Sequence, residues 1–179
     1  MKGPSENDEH EVFLESPVAL DGDQDWPADV SSLARFFLTQ LILDEGLSGR
    51  WQLSLTITDD AGIRVINQEW RDKDGPTDVL SFPQYDFWNG VPREALSPGA
   101  DPSTYEGFPG PESILLGDIV ISFETCRRQG REVGHGTQSE FLRLLVHGLL
   151  HLVGYDHERS AEEEKIMQRR EDELLNLTP

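Results

Sequence analysis

The stretch TQSEFLRLLVHGLLHLVG, residues 137–154, constrains the fold more than any other part of the chain. From Phe141 to Val153, apolar residues occupy nearly every side of a helical wheel, so the helix they form has to be buried. Yet His147 and His151 lie four apart inside it, on one face. An unpaired polar group in an apolar interior costs on the order of a few kcal/mol, so two imidazoles on one buried face call for a shared partner. Thr137 with Glu140 three residues on reads as a capping box that opens the helix. Gly154 is placed to end it in a left-handed conformation. Reversal at that glycine can bring His157 to the same point as the other two histidines.

The three histidines and Gly154 keep the ligand spacing of the extended zinc-protease motif H-E-x-x-H-x-x-G-x-x-H. Three neutral imidazoles on a tetrahedral zinc leave one position open for water, which is the arrangement of a catalytic site rather than a closed structural one. The motif's glutamate, however, is Gly148 here. Peptide hydrolysis then lacks the group that passes a proton to the leaving amine. A phosphodiester makes a different demand. Its leaving alkoxide can be stabilised by a metal, and a guanidinium opposite the metal would stabilise charge on the phosphoryl oxygens. Arg71, in NQEWRDKDGPTDVLSFP (67–83), is the candidate. Composition alone reads it equally as a solvated residue at a helix end.

The neighbours of these residues have competing readings. Asp156 is either a carboxylate orienting a ligand histidine or a turn residue. Glu158 is either a base beside the site or a surface acid. His10 and His135 are expected at the surface, and Arg127, Arg128 and Arg131 on a solvated helix face. Cys126 is a small helix residue with no base marked beside it.

The 179 residues suffice for one domain and one core. The formal net charge of -19 argues against a nonspecific nucleic-acid binder, because phosphate binding is driven by Lys and Arg. The acid is unevenly spread: residues 1–30 hold nine acids against one lysine, whereas 121–143 hold four arginines against three glutamates. Net charge therefore weakens an RNA reading without excluding it. A single cysteine forms no intrachain disulfide, suits a reducing compartment and argues against a disulfide-linked partner. MKGPSENDEHEVF has no signal-peptide core, and FFLTQLIL is too short to span a bilayer. The expectation is a cytoplasmic protein.

Along the chain, a short strand is predicted over 11–17. A helix follows from about Asp29 to Gly46. WQLSLTIT alternates as a half-buried strand. A helix capped by Asp59 or Asp60 should turn Ile63, Ile66 and Trp70 to the core. TDVLSFP is a strand ending at Pro83, ILLGDIVIS a central strand, and FETCRRQGREVG a helix. Ser160 and Glu163 form a second capping box that opens a C-terminal helix. Residues 84–113, rich in Pro and Gly and without periodicity, read as a long loop or insertion, mobile or lid-like. The class is α/β (α+β): a small mixed sheet of about four strands packed with about five helices. We expect a single domain over 1–179, with a polar start.

HGLLHLVGYDHE resembles the signature H-G-x-L-H-L-x-G-Y-D-H of the YbeY family of bacterial endoribonucleases. WRDKDGPTDVLSFP resembles that family's second motif, and LLGDIVIS its third. Together the three cover about residues 50–165. The resemblance implies a single-strand-specific, metal-dependent endoribonuclease that matures ribosomal RNA, notably the 3′ end of 16S rRNA, and serves ribosome quality control. Its partners would be single-stranded RNA and the small ribosomal subunit or its assembly factors. It implies one zinc ion on His147, His151 and His157, and a functional role for Arg71. The chain differs in carrying Trp70 where the family often has tyrosine, in the 84–113 insertion and in its acidity. The alternatives are a metalloprotease with a displaced base such as Glu158, and a non-catalytic ribosome-assembly factor with structural zinc.

Overall fold

The computed structural model describes residues 10–18, 23–47, 49–92 and 114–178. In chain order the elements are β1 (Glu11–Glu15), α1 (Val30–Asp44), β2 (Trp51–Thr58), α2 (Asp60–Arg71), β3 (Val79–Pro83), β4 (Phe87–Trp88), β5 (Val91–Pro92), β6 (Ile114–Ser122), α3 (Phe123–Val133), α4 (Gly136–Leu152) and α5 (Ala161–Leu175). The main sheet has the order β1-β2-β6-β3. The first three strands are parallel, and β3 runs antiparallel to β6. This is the expected α+β arrangement of a mixed four-stranded sheet with five helices.

The period-two pattern of β2 puts Trp51, Leu53, Leu55 and Ile57 on one face, all fully buried. The nearly continuous apolar run of β6 reflects its central place, covered on both faces. Ile119 and Ile121 enter the main core, while Val120 joins Ile63 and Leu80 in a smaller cluster under α2. Helix α4 packs against β3, β6, α1, α3 and α5, which explains why it is apolar all round. Its Phe141, Leu144, Leu145, Leu149, Leu150 and Leu152 are fully buried. Each such side chain stabilises the fold by roughly 2 kcal/mol relative to exposure.

Four sequence expectations change. Helix α4 begins at Gly136, so Thr137 is not its cap. Instead the Asp25 carboxylate accepts the backbone N–H of Thr137 and of Gln138, and the Thr137 hydroxyl donates to Asp23. Glu140 is buried and accepts hydrogen bonds from the Arg143 guanidinium. Trp70 is 68% exposed rather than in the core. The stripe of Ile63, Ile66 and Trp70 outruns the sheet, because β3 is its outermost strand. His10 is buried, and its Nδ1 accepts the Trp51 N–H at 3.0 Å, because β1 pairs with β2 from Glu11 onward. Within 84–113, residues 87–92 form the β4–β5 hairpin, while 93–113 lie outside the described residues, as does the polar start at 1–9. No helix among the described residues is long and apolar enough to cross a membrane.

Candidate metal centre

His147 and His151 share one face of the last two turns of α4, and the turn that follows returns His157 to them. That turn requires glycine twice over. Gly154 has φ +84°, and a Cβ there would sit 2.2 Å from the Phe87 carbonyl oxygen. One ligand nitrogen from each of the three rings lies within 4.8 Å of the others. The Nε2 atoms of His147 and His151 are 3.0 Å apart. The Nδ1–H of His147 donates to Glu171 Oε1 at 2.6 Å, which leaves Nε2 turned toward the other rings. Burial, reinforced by His147 and His157, pulls His151 from 6.5 down to about 4. It is therefore neutral at physiological pH, the form that ligates a metal. Three imidazoles, one backed by a carboxylate, are a donor set that fits a zinc-like ion.

Sequence reasoning missed Glu171. Its signal was present: it lies on the inward stripe of α5 with Met167 and Leu174, both buried. A carboxylate on such a stripe needs a partner. Asp156, by contrast, serves the turn, accepting the Glu158 N–H at 2.9 Å and pairing with Arg159 at 3.1 Å.

The β4–β5 hairpin holds the turn that carries His157. The N–H groups of Asn89 and Gly90 donate to the carbonyls of Gly154 and Val153 at 3.4 and 2.8 Å. The Arg159 guanidinium lies over the Trp88 ring, 4.4 Å from its centroid, and donates to the Gly154 carbonyl at 3.2 Å. Asn89 also reaches Glu163 at 3.1 Å, tying the hairpin to the first turn of α5.

A cleft of about 400 Å³ is lined by the three histidines, by Arg71 and Lys73 from the end of α2 and its following turn, and by Glu158. The turn is fixed from α2. Buried Asn67 accepts the Lys73 N–H on its carbonyl and donates its amide to the Gly75 carbonyl at 2.8 Å. Arg64 pairs with Asp74 at 2.7 Å. Asp72 ends α2 with a positive φ of 58°, a conformation that an aspartate tolerates better than most residues. Arg71 and the histidines, 76 or more positions apart in sequence, thus face one cavity. Lys73 was not singled out from the sequence, since a single lysine in a turn carries no pattern.

The model of the family described as "Endoribonuclease YbeY" matches residues 21–178. The chain belongs to the YbeY endoribonuclease family. The Endoribonuclease YbeY of Leptospira interrogans (serogroup Icterohaemorrhagiae, serovar Lai) is 47% identical over 127 residues, covering 70% of this chain and 86% of that protein. The Aquifex aeolicus Endoribonuclease YbeY is 42% identical over 125 residues, 70% of this chain and 69% of that one. The solution structure of TM1509 from Thermotoga maritima aligns with a TM-score of 0.51 at 22% identity, covering 92% of this chain and 87% of that one, a likeness of fold.

For a YbeY-family chain, the glycine at position 148 has a packing reason. Here α4 lies so close to the sheet that a Cβ on Gly148 would sit 2.9 Å from Ile119 Cδ1 and 3.2 Å from Ser81 Oγ. Any side chain at this position would have to displace Ile119 and Ser81. Away from the cleft, Cys126 is fully buried, and burial, with the Glu140 charge beside it, pushes its thiol up to about 12, so it is inert. Arg128 pairs with Asp60 and so ties α3 to the start of α2, and Arg127 lies over the Phe123 ring of its own helix.

Proposed function

We propose that this YbeY-family chain is a zinc-dependent, single-strand-specific endoribonuclease. In this reading the whole chain, 1–179, works as one metallohydrolase domain in the cytoplasm. It matures the 3′ end of 16S rRNA and acts in ribosome quality control, with the small ribosomal subunit or its assembly factors as partners. The observation that carries the reading is the meeting of three imidazoles and a guanidinium in one cleft.

His147, His151 and His157 would hold the ion, which supplies Lewis-acid charge and an open coordination position when bound. The chain's own residues do the rest. Glu171 keeps the His147 proton on Nδ1, so that Nε2 carries a free lone pair. Arg71 binds the phosphoryl oxygens of the scissile bond and gains interaction energy as negative charge builds on them. Lys73 adds a second positive charge to the same cleft. Gly148 leaves the amide-cleaving position empty of any acid or base. Attack by water and attack by the ribose 2′-hydroxyl both fit this arrangement, and only the second passes through a cyclic phosphate.

The test offers the zinc-loaded protein single-stranded RNA, duplex RNA and casein. Cleavage of the single strand alone, lost in His151→Ala and Arg71→Ala, supports the reading, and the product ends report the nucleophile. Casein cleavage lost in His151→Ala with RNA left intact sinks it. Full function in Arg71→Ala, with unfolding on zinc removal, would instead indicate a structural ion.

A further inference from the structure

One wall of the cleft is β3. Leu80 and Phe82 turn to the α2 side of the sheet, so Val79 and Ser81 turn to the α4 side, where both line the cleft. Gly148 sits between His147 and His151 in α4, and a Cβ on it would lie 3.2 Å from Ser81 Oγ. The glycine thus lets the Ser81 hydroxyl come close beside the two helix histidines. Among the described residues this hydroxyl has no hydrogen-bond partner. The other hydroxyl of the lining, on Thr77, is committed: it donates to Asp78 Oδ1 at 3.2 Å.

The lining groups divide by charge, and so do the groups of an RNA backbone. Arg71 and Lys73 suit the phosphoryl oxygens, to which a charged donor makes a stronger hydrogen bond than a neutral one. The Ser81 hydroxyl is uncharged and can both donate and accept. The backbone group of RNA with the same two capacities is the ribose 2′-hydroxyl, and DNA lacks it. That hydroxyl sits on the carbon next to the one bearing the 3′-phosphate. A phosphate held by Arg71 therefore brings it into the cavity of about 400 Å³ that Ser81 also lines.

We propose that the Ser81 hydroxyl hydrogen-bonds the ribose 2′-hydroxyl beside the phosphate that Arg71 binds, and so selects RNA over DNA. This inference rests on the RNA-cleaving reading of the same cleft, and it names the side chain that reads the sugar. A deoxyribose at that place offers Ser81 only carbon-bound hydrogen and leaves its hydroxyl without a partner on the strand.

The test mixes a short labelled single-stranded oligoribonucleotide with the full-length zinc-loaded protein, and moves a single 2′-deoxyribose along the strand. Binding is read before turnover by stopped-flow fluorescence, and cleavage is followed separately. In the wild type, deoxyribose at one position should weaken binding about five- to ten-fold. Ser81→Ala should lose the same factor on the all-ribose strand and nothing further on the strand with deoxyribose at that position. Ser81→Thr, which keeps a hydroxyl, should lose less than Ser81→Ala. Melting temperature and zinc affinity should match the wild type in Ser81→Ala, because its hydroxyl bonds to nothing in the fold. Unchanged binding in Ser81→Ala overturns the proposal. So does a loss that persists at every deoxyribose position; if sulfur on one phosphate abolishes that loss instead, the hydroxyl holds a phosphoryl oxygen. A fall in zinc affinity in Ser81→Ala also overturns it, by making the hydroxyl part of the metal centre. A wild type that cleaves RNA with no deoxyribose position dependent on Ser81 leaves the nuclease reading standing without this contact. One that binds RNA through Ser81 yet cleaves none counts against the nuclease reading alone, and one that binds no RNA overturns both.

Discussion

The Nδ1–H of His147 donates to the Glu171 carboxylate across 2.6 Å and so ties α4 to α5 at the metal centre. A carboxylate in that place fixes the tautomer and makes the opposite nitrogen a better ligand. Glu171→Ala should lower zinc affinity about 10- to 100-fold in a chelator competition. Glu171→Gln, which still accepts the hydrogen bond, should lose less. Equal affinity in all three proteins would remove Glu171 from the site.

Arg71 predicts a different split. Arg71→Ala should leave zinc affinity where it was and cut kcat/KM on single-stranded RNA about 100-fold. Arg71→Lys should recover only part of this, because a planar two-donor fork is replaced by a point charge. Metal titration beside steady-state kinetics checks both halves.

Gly148→Ala should destabilise the protein by about 1–3 kcal/mol in urea unfolding. The added Cβ would press on Ile119 and Ser81 beneath α4. Gly148→Glu should destabilise at least as much, since it adds the same Cβ and a longer side chain beyond it.

The hairpin clamp can be loosened from either side. Arg159→Ala or Trp88→Ala removes a cation–π contact worth about 1 kcal/mol. Amide exchange should then quicken in the turn from Gly154 to His157. Zinc affinity should fall several-fold, with His147 and His151 untouched. Protection unchanged in that turn would show that the hairpin does not hold it.

Cys126 gives a pH prediction. Burial favours its neutral thiol, raising the folded value from 9.0 to about 12. For such a group the stabilisation is present below the unfolded value and is lost as pH rises from about 9 toward 12. Iodoacetamide at pH 8 should therefore leave native Cys126 unmodified and label it only in denaturant. Cys126→Ser should flatten the alkaline part of the stability curve.

Much of this molecule is local information. The alternation of Trp51, Leu53, Leu55 and Ile57 made β2, the all-round apolar surface of α4 announced its burial, and Ser160 announced the start of α5. These depend on periods of two and 3.6 residues and on caps three positions away, all visible in a short window. The three histidines were legible for the same reason, as neighbours on one helix and across one glycine turn.

What only tertiary structure decided involves partners far along the chain. The amide caps of α4 come from Asp25, 112 positions before Thr137, so the apparent capping box at Thr137 and Glu140 went to another use. Glu171 reaches His147 across 24 positions, and Arg71 shares a cleft with His151 only because α2 ends beside the outermost strand. Trp70 had the period of a core residue and is exposed because the sheet stops at β3. A sequence pattern states which face of an element is apolar; where the opposing surface ends is set by the packing of all the others.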